Sequence, residues 1–254
     1  MNLNLIESML KNSDFYPVYQ PIVRLADSSV HSFEILTRWN TDQMSCSVEK
    51  LFSAIDSKLG RDISLLVFSK ALDSFQHSPT ALNVNFSSLH LLCNDTISRI
   101  TQLINYFNYP SHLITIEVTE VHSTFVMEQL ATVLCSLNSF GIRTSLDDFG
   151  AQASSYDRLF SIPFNQVKID RFFIKNIEVD SLKQELLRHF VSFIPKFDCE
   201  IVAEGVESTL ESQYLMELGI DLAQGYLFAK PQPFHLLKSE PWKTRLLHDS
   251  LSVL

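Results

Sequence analysis

The stretch Leu113–Glu120, LITIEVTE, is typical of a β-strand that carries a carboxylate into apolar surroundings. Because side chains alternate between the two faces of a strand, Glu117 shares a face with Thr115 and Thr119, and the isoleucines and valine occupy the other. A single glutamate at a strand end is more often a surface residue, but a glutamate inside a run this apolar is not easily placed at the surface. The stretch therefore predicts a strand with a buried acidic side chain near its end.

The same arrangement recurs along nearly the whole chain. Seven acidic or amide-bearing side chains and one lysine end or interrupt apolar runs that are expected to be buried: Glu34, Asn85, Glu117, Asp147, Asp148, Lys168, Glu204 and Gln224. Burying one carboxylate alone is costly or forces it to take up a proton. Five buried carboxylates are tolerable only where cations join them, so the pattern predicts a metal site assembled from the ends of many strands.

Strands alternate with helices at a spacing of about 25–35 residues, which is typical of βα units. Eight strands are predicted: Pro17–Leu25, Val30–Trp39, Ala81–Phe86, Leu113–Thr119, Ile142–Asp147, Gln166–Asp170, Glu200–Ala203 and Leu222–Leu227. Helical segments are predicted over residues 49–78, 88–105, 124–138, 154–160, 181–194 and 210–218. A short polar turn joins the first two strands, so these two are candidates for antiparallel pairing.

The length fits a single (β/α) barrel of about 250 residues, and an open doubly wound sheet is the alternative. The barrel is favoured because it brings the ends of all strands to one mouth, where the polar side chains would meet. No linker or low-complexity segment divides the chain, so we expect one domain over residues 1–254. A short helix is expected at about 1–14, and an irregular or helical tail at about 233–254.

Composition excludes several classes of protein. The net charge of −9 argues against binding to long nucleic acid, which requires many lysines and arginines. Four cysteines without a CxxC pair indicate free thiols in a reducing compartment. The first fifteen residues lack a basic start and a long apolar run, and no stretch reaches the roughly 18 apolar residues of a membrane span. We therefore expect a cytoplasmic protein without a membrane partner.

Asp147 and Asp148, followed by Phe149-Gly150, are the most informative pair. Adjacent aspartates at a strand end repel each other unless a positive charge joins them. A solvated turn is the alternative. In the functional interpretation Asp147 bridges two divalent cations and Asp148 holds one of them, the arrangement used for in-line displacement at phosphorus. Oxygen ligands without histidine or thiolate favour Mg²⁺ or Mn²⁺ over zinc.

The remaining motifs are weaker when taken singly. In Gln166–Asp170, QVKID, alternation puts Lys168 and Asp170 on one face. Lys168 either extends to solvent from a barrel end or holds and polarises an attacking water. In IVAEGVE two glutamates, Glu204 and Glu207, flank a glycine and a valine, and we expect one to face the site and the other to brace the loop.

The joint order of these motifs resembles the EAL domain, a family of cyclic di-GMP phosphodiesterases. The resemblance covers almost the entire chain in the family's order and spacing. The matching segments are Tyr19–Ile22 (YQPI), Phe33–Trp39 (FEILTRW), Asn83–Ser87 (NVNFS), Ile116–Glu120 (IEVTE), Leu146–Gly150 (LDDFG), Val167–Phe173 (VKIDRFF), Val202–Ser208 (VAEGVES) and Gln224–Pro231 (QGYLFAKP).

The resemblance implies a modified (β/α)₈ barrel with an antiparallel first strand, and hydrolysis of cyclic di-GMP to linear pGpG with two Mg²⁺ or Mn²⁺ ions. It assigns the first metal to Glu34, Asn85, Glu117 and Asp147, the second to Asp147 and Asp148, and a direct or water-mediated metal contact to Glu204. It makes Lys168, Glu204 and Glu34 catalytic, with Lys168 activating the water. Substrate or water contacts are assigned to Gln20, Leu36, Arg38, Asp170 and Gln224, and loop support to Glu120 and Glu207.

Two departures from the family pattern affect this interpretation. The signature tripeptide reads Glu34-Ile35-Leu36 rather than EAL, and alternation directs Ile35 away from Glu34, so packing is affected more than ligation. The loop after Asp148 reads DDFGAQASS where the family has DDFGTGYSS. Gln152 replaces a glycine that adopts positive φ without steric cost. This change puts catalytic rate, dimer coupling and regulation in doubt.

An active cyclic di-GMP phosphodiesterase that lowers the level of this messenger in bacterial signalling is the leading hypothesis, because the carboxylates, asparagine and lysine are intact. The alternative is a weak or inactive EAL protein that acts as a cyclic di-GMP receptor or through protein contacts. A phosphodiesterase for another small nucleotide is a more remote alternative. A homodimer is usual for the family, and control by expression level or by a regulatory partner protein is expected.

Overall fold

The computed structural model describes residues 3–40, 46–93, 95–119, 124–151 and 155–237. The strands are β1 (Phe15–Arg24), β2 (Val30–Trp39), β3 (Leu82–Ser87), β4 (Ile114–Thr119), β5 (Arg143–Phe149), β6 (Gln166–Ile169), β7 (Glu200–Ala203) and β8 (Leu222–Ala223). The helices are α1 (Leu3–Lys11), α2 (Val48–Ala54), α3 (Ser57–Phe75), α4 (Ser88–Leu92), α5 (Thr96–Tyr106), α6 (Thr124–Ser139), α7 (Ser155–Ser161), α8 (Arg171–Ile174), α9 (Ser181–Phe193), α10 (Thr209–Glu217) and α11 (Phe234–Leu237).

The eight strands close into a barrel in sequence order. β1 is antiparallel to both of its neighbours, β2 and β8, and every other neighbouring pair is parallel. The predicted modified (β/α)₈ barrel with an antiparallel first strand is therefore confirmed. Closure brings the carboxyl ends of β2 to β8 to one rim, as the placement of polar residues in the sequence requires.

Local sequence explains where several elements begin and end. The predicted helix over 49–78 divides in two because Asp56 caps the start of α3, accepting a hydrogen bond from the Leu59 N–H at 2.8 Å. The predicted helix over 88–105 also divides, and Asp95 in a left-handed conformation (φ 68°) precedes α5. β8 ends at Ala223 rather than at residue 227, because the chain turns at Gly225 to contact the loop that follows β7.

The core has two parts, one on each side of the sheet. Outward-facing strand residues such as Phe86 and Val118 join the buried faces of the helices, including Phe68 of α3 and Leu134 of α6, in one continuous cluster. Inside the barrel, the side chains of Ile22, Val202 and Leu222 form a second, small apolar cluster. By strand alternation these three residues lie one layer below the polar residues at the rim.

The two ends of the chain were predicted to be helical or irregular. α1 covers residues 3–11 of the predicted N-terminal helix and buries Ile6 and Met9. The predicted tail begins with the short helix α11, and residues 238–254 lie outside the described part of the chain. The single domain over residues 1–254 stays a prediction. Within the described ranges, no helix combines the length and apolarity that a membrane crossing requires.

Of the six glycines, Gly225 leaves the least room for a side chain, and its replacement tests the close contact between the loops after β7 and β8. A Cβ at Gly225 would lie 2.0 Å from the Val206 carbonyl oxygen and 2.4 Å from its nitrogen, both of them backbone atoms. We expect Gly225→Ala to lower the free energy of unfolding by about 3 kcal/mol or more, because two backbone segments must separate. Urea denaturation measures this loss.

Gly219→Ala is the matched control. Gly219 has a positive φ of 88°, but beyond Gly219 itself and its two chain neighbours no heavy atom of the described residues lies within 4 Å of the position that a Cβ would take. Only the backbone conformation therefore opposes alanine, and we expect a loss of about 1 kcal/mol. Equal losses at the two positions would contradict the close contact between Gly225 and Val206.

Candidate metal centre

Lys168 lies at the centre of a group of carboxylates inside the rim of the barrel. Its side chain is only 1% exposed, so the alternative in which it extends to solvent is wrong. The Lys168 Nζ atom lies 2.7 Å from Glu204 Oε1, 3.0 Å from Glu117 Oε2, 3.3 Å from Asp147 Oδ1 and 3.4 Å from Glu34 Oε2. Strands β2, β4, β5 and β6 and the residue after β7 thus contribute charges to one cluster.

Glu34 is fixed by an amide from β3 and by an amide from the residue that follows β8. Asn85 Nδ2 donates to Glu34 Oε1 and Gln224 Nε2 donates to Glu34 Oε2, both at 2.7 Å. Gln224 Nε2 also donates to Gln20 Oε1 at 3.1 Å, and Gln20 Nε2 donates to the Ala229 carbonyl at 3.1 Å. These bonds orient both carboxylate oxygens and link the ends of β1, β2, β3 and β8.

Asp147 and Asp148 both present oxygens to the site, although adjacent residues of a regular strand point to opposite faces. The pairing of β5 with β6 is irregular between Leu146 and Phe149, and Asp148 is left-handed with φ 53°. This backbone conformation, unusual for a residue other than glycine, redirects the Asp148 side chain. As a result, carboxylate oxygens of Asp147, Asp148 and Glu204 lie within 4.8 Å of one another.

The electrostatics of the cluster favour protonation of several acids. Burial raises the pKa of Glu117 and of Asp147, and it raises the pKa of Asp148 to about 6 and of Glu204 to about 8, with neighbouring carboxylates adding to the effect. Burial opposes ionisation of Glu34 too, but Lys168 and two amide donors outweigh it and hold the pKa of Glu34 below its usual value.

Lys168 carries the positive charge of the cluster. Burial acts against its ammonium form, but the surrounding carboxylates prevail and raise the pKa of Lys168 well above its usual value. One ammonium faces five carboxylates, which leaves four negative charges when all are ionised. Two divalent cations, with four positive charges, would balance this charge.

The donor set fits hard divalent cations such as Mg²⁺ or Mn²⁺. The available ligands are carboxylate and amide oxygens, the type that these ions prefer. Asp147 Oδ1 is buried, and its contact with Lys168 is an ion pair without hydrogen-bond geometry. That oxygen therefore has coordination capacity that the described side chains do not use.

Three further residues assigned to substrate, Leu36, Arg38 and Asp170, lie on β2 or directly after β6 and make other contacts. Arg38 and Leu36 are half-buried on β2, and Arg38 Nη1 donates to the Thr37 carbonyl at 2.7 Å. Asp170 caps α8, accepting a hydrogen bond from the Phe172 N–H at 2.7 Å. Ile35 is buried in the outer core, on the opposite face from Glu34, as alternation predicts.

Glu211 braces the loop that follows β7, and the predicted loop support by Glu207 stays a prediction. Glu207 lies 3.7 Å from Arg171 in an exposed ion pair, whereas its own backbone N–H donates to Glu211. Glu211 is buried and also accepts from the N–H groups of Asn176 and Ser208. Sequence reasoning missed Glu211, although Ser208-x-x-Glu211 has the spacing of a capping box, which it forms. Glu120 lies outside the described residues.

Two further polar residues below the cluster were also missed. Asn83 and Gln166 are buried inside the barrel, and Asn83 Nδ2 donates to Glu117 Oε1 at 2.8 Å. Strand alternation provided a signal, because Asn83 shares a face with Asn85, and Gln166 shares one with Lys168.

The raised pKa values predict how cation binding depends on pH. Without cations, Asp148 and Glu204 hold protons more tightly in the folded than in the unfolded protein, so their contribution to stability is lost as pH rises through about 6 and about 8. Cations bind the ionised carboxylates, so at low pH they compete with protons for the same oxygens. At high pH the carboxylates are ionised and this competition disappears. We expect Mg²⁺ to raise the melting temperature more at pH 8.5 than at pH 6.

Calorimetric melting at the two pH values, with and without Mg²⁺, measures this difference. Glu204→Gln is the control, because it removes the carboxyl with the higher pKa of the two and should reduce the dependence on pH. An Mg²⁺ effect that is larger at pH 6 would contradict the assignment.

Fold and site together define a (β/α)₈ barrel with a candidate divalent-cation centre at the carboxyl ends of its strands. Comparison with known proteins agrees with this description. Residues 4–231 match the family model described as EAL domain, and the chain therefore belongs to the EAL domain family. The resemblance inferred from the motifs is confirmed.

Named relatives and solved structures support the same family. The cyclic di-GMP phosphodiesterase RocR of Pseudomonas aeruginosa is 29% identical over 231 residues, covering 88% of this chain and 59% of RocR. A solved structure of the PaMucR phosphodiesterase in complex with c-di-GMP superposes with a TM-score of 0.82 at 26% identity, covering 92% of this chain and 98% of that one.

A c-di-GMP-bound standalone EAL protein from Vibrio cholerae O395 has a TM-score of 0.77 at 26% identity, covering 87% of this chain and 93% of that one. The curated relatives are longer than this chain. It spans 59% of RocR and 29% of NbdA, a second cyclic di-GMP phosphodiesterase of Pseudomonas aeruginosa.

Proposed function

We propose that the protein is a cyclic di-GMP phosphodiesterase that hydrolyses one phosphodiester bond to give linear pGpG, with two Mg²⁺ or Mn²⁺ ions. The observation that carries the proposal is the cluster itself. The carboxylates of the family pattern meet around one buried lysine, and four of them lie within 3.4 Å of its Nζ. Two relatives that bear the name of this activity are 29% and 27% identical to this chain, over 231 and 234 residues.

The cations would be held by Glu34, Asn85, Glu117, Asp147, Asp148 and Glu204. When bound, they supply positive charge at the scissile phosphate and lower the pKa of water. Glu34 is pre-oriented for this role by Asn85 and Gln224. The half-buried Arg38 offers a guanidinium for a non-bridging phosphate oxygen.

The protein's own groups handle the water and its proton. Lys168 holds the attacking water through its ammonium, and a carboxylate beside it accepts the water's proton; Glu204, at 2.7 Å, is the nearest. The water oxygen attacks phosphorus in line, the bond to the 3′ oxygen breaks, and the leaving oxygen takes up a proton. Gln20, Leu36, Asp170 and Gln224 are proposed to contact the substrate or its water.

The remaining assignments follow from this proposal. The substrate is a bacterial messenger of the cytoplasm, which is where we place the protein. A homodimer and a regulatory protein partner are proposed as means of control. Glu207 and Glu120 are proposed to support the loops around the site.

A cyclic di-GMP receptor without turnover is the second candidate. The altered loop favours it, because Ala151, Gln152 and Ala153 replace the family's Thr-Gly-Tyr, beginning three positions after the left-handed Asp148. Gln152 and Ala153 lie outside the described residues.

Product analysis separates the candidates. Purified protein is incubated with cyclic di-GMP and Mn²⁺, with a chelator in the control, and the products are resolved by chromatography. We expect pGpG to accumulate only with the cation. Binding without hydrolysis would favour the receptor, neither would favour a protein-interaction role, and turnover of a different cyclic nucleotide alone would reassign the substrate.

A further inference from the structure

A layer of polar side chains lies inside the barrel directly beneath the proposed cation ligands. On each of the parallel strands β2 to β8, alternation places one residue of this layer two positions before a rim residue. The polar members are Ser32, Asn83, Thr115, Ser145 and Gln166, all of them buried. Such positions in a (β/α) barrel are usually filled by bulky branched residues, so a polar half-layer needs an explanation.

Asn83 uses both protons of its amide in this layer. Its Nδ2 donates to Glu117 Oε1 at 2.8 Å and to Gln166 Oε1 at 3.1 Å. Because Glu117 and Gln166 both present acceptors, the Asn83 amide has one satisfactory orientation. Asn83 and Gln166 are 1% and 2% exposed, so water does not replace these bonds.

The two oxygens of Glu117 consequently have different donors. Oε1 accepts from the neutral amide of Asn83, and Oε2 accepts from the Lys168 ammonium at 3.0 Å. Glu117 is completely buried, so each oxygen needs a partner. A neutral donor satisfies Oε1 without adding a positive charge that would repel cations at the site.

We propose that Asn83, itself oriented by Gln166, is a positioning residue that fixes the rotamer of Glu117 for cation binding. The inference rests on the proposed function, because it requires that cations bind at this site. Asn83 donates to Glu117 Oε1 from the layer below. This bond fixes the plane of the Glu117 carboxylate before a cation binds. Groups that orient ligands in this way typically change metal affinity about 10- to 100-fold when removed.

The test measures cation affinity rather than turnover. Mn²⁺ binding to the full chain, without nucleotide, is followed by electron paramagnetic resonance. We expect Asn83→Leu to weaken Mn²⁺ binding about 10-fold. Ser32→Ala is the matched control, because Ser32 is buried in the same layer and its hydroxyl has no hydrogen-bond partner among the described residues. It should leave affinity unchanged.

A double-mutant cycle separates positioning from a general effect on the barrel. If Asn83 acts through Glu117, then Asn83→Leu should change affinity less than about 2-fold in a Glu117→Gln background. An equal loss in both backgrounds, or wild-type affinity in Asn83→Leu, would overturn the inference. If Asn83→Leu fails to fold, Gln166→Met takes its place. We then expect a smaller loss of Mn²⁺ affinity in the wild-type background and no loss in the Glu117→Gln background.

The outcomes also distinguish this inference from the proposed function. A wild-type protein that binds Mn²⁺ but does not hydrolyse cyclic di-GMP would refute the proposed activity and leave the effect of Asn83 on affinity measurable. A wild-type protein that binds no Mn²⁺ would overturn both.

Discussion

Replacing Lys168 by methionine is expected to lower the turnover of cyclic di-GMP by about 10³-fold, because the variant loses the group that holds the attacking water. Methionine retains the apolar stem of lysine but not its charge. The four carboxylates within 3.4 Å of Nζ then lose their common ion-pair partner. Chromatographic assay of pGpG under saturating Mn²⁺ measures the loss of turnover.

The same substitution should also affect stability in a way that cations reverse. Removing one member of a buried ion-pair network costs about 3 kcal/mol or more. We expect this loss in the metal-free protein and a smaller one with Mg²⁺, since the cations replace part of the missing charge. Lys196→Met is the control, because Lys196 is an exposed lysine outside the cluster. It should change neither the turnover nor the stability. Wild-type turnover in Lys168→Met would refute its proposed role.

Glu34→Gln is expected to be nearly as damaging to activity, by about 10³-fold. Both oxygens of Glu34 accept from amide N–H groups, so an amide nitrogen at either position would face another donor. The substitution removes a charge, a cation ligand and one hydrogen bond at once, with almost no change in shape. Turnover and Mn²⁺ affinity should therefore fall together.

Glu200→Gln provides the comparison for that result. Glu200 begins β7 at the opposite end of the barrel, where it pairs with Arg143. Loss of an exposed ion pair there should cost at most about 1 kcal/mol of stability and leave turnover intact. If Glu34→Gln behaved like Glu200→Gln, Glu34 would not be a cation ligand.

The barrel could be predicted from the sequence because its signals are local and repeated. β2 and β7 occupy the residues predicted for them, and the repeat of strand and helix left few alternatives. β8 was predicted too long. The strand ends at Ala223 because Gly225 turns against Val206, and a contact between residues far apart in sequence leaves no local signal.

The identity of the site residues was partly predictable, but their mutual contacts were not. Alternation places Glu117 and Lys168 inside the barrel, yet it cannot show that one ammonium touches four carboxylates from separate elements. The left-handed conformation of Asp148 contradicts simple alternation, and it depends on the irregular pairing of β5 with β6.

The role of Asn83 was hidden for the same reason, since its acceptors lie 34 and 83 residues away in sequence. The cap that Asp170 forms on α8 was not predicted either, because the family resemblance assigned Asp170 only to substrate contact. That assignment stays a proposal.

Anomalous scattering from crystals soaked in Mn²⁺ and cyclic di-GMP tests the central claim most directly. We expect two manganese peaks about 3.5–4 Å apart, with an oxygen of Asp147 coordinating both. A lattice with nucleotide bound but no manganese near Asp147, and with the carboxylates still paired only to Lys168, would contradict it.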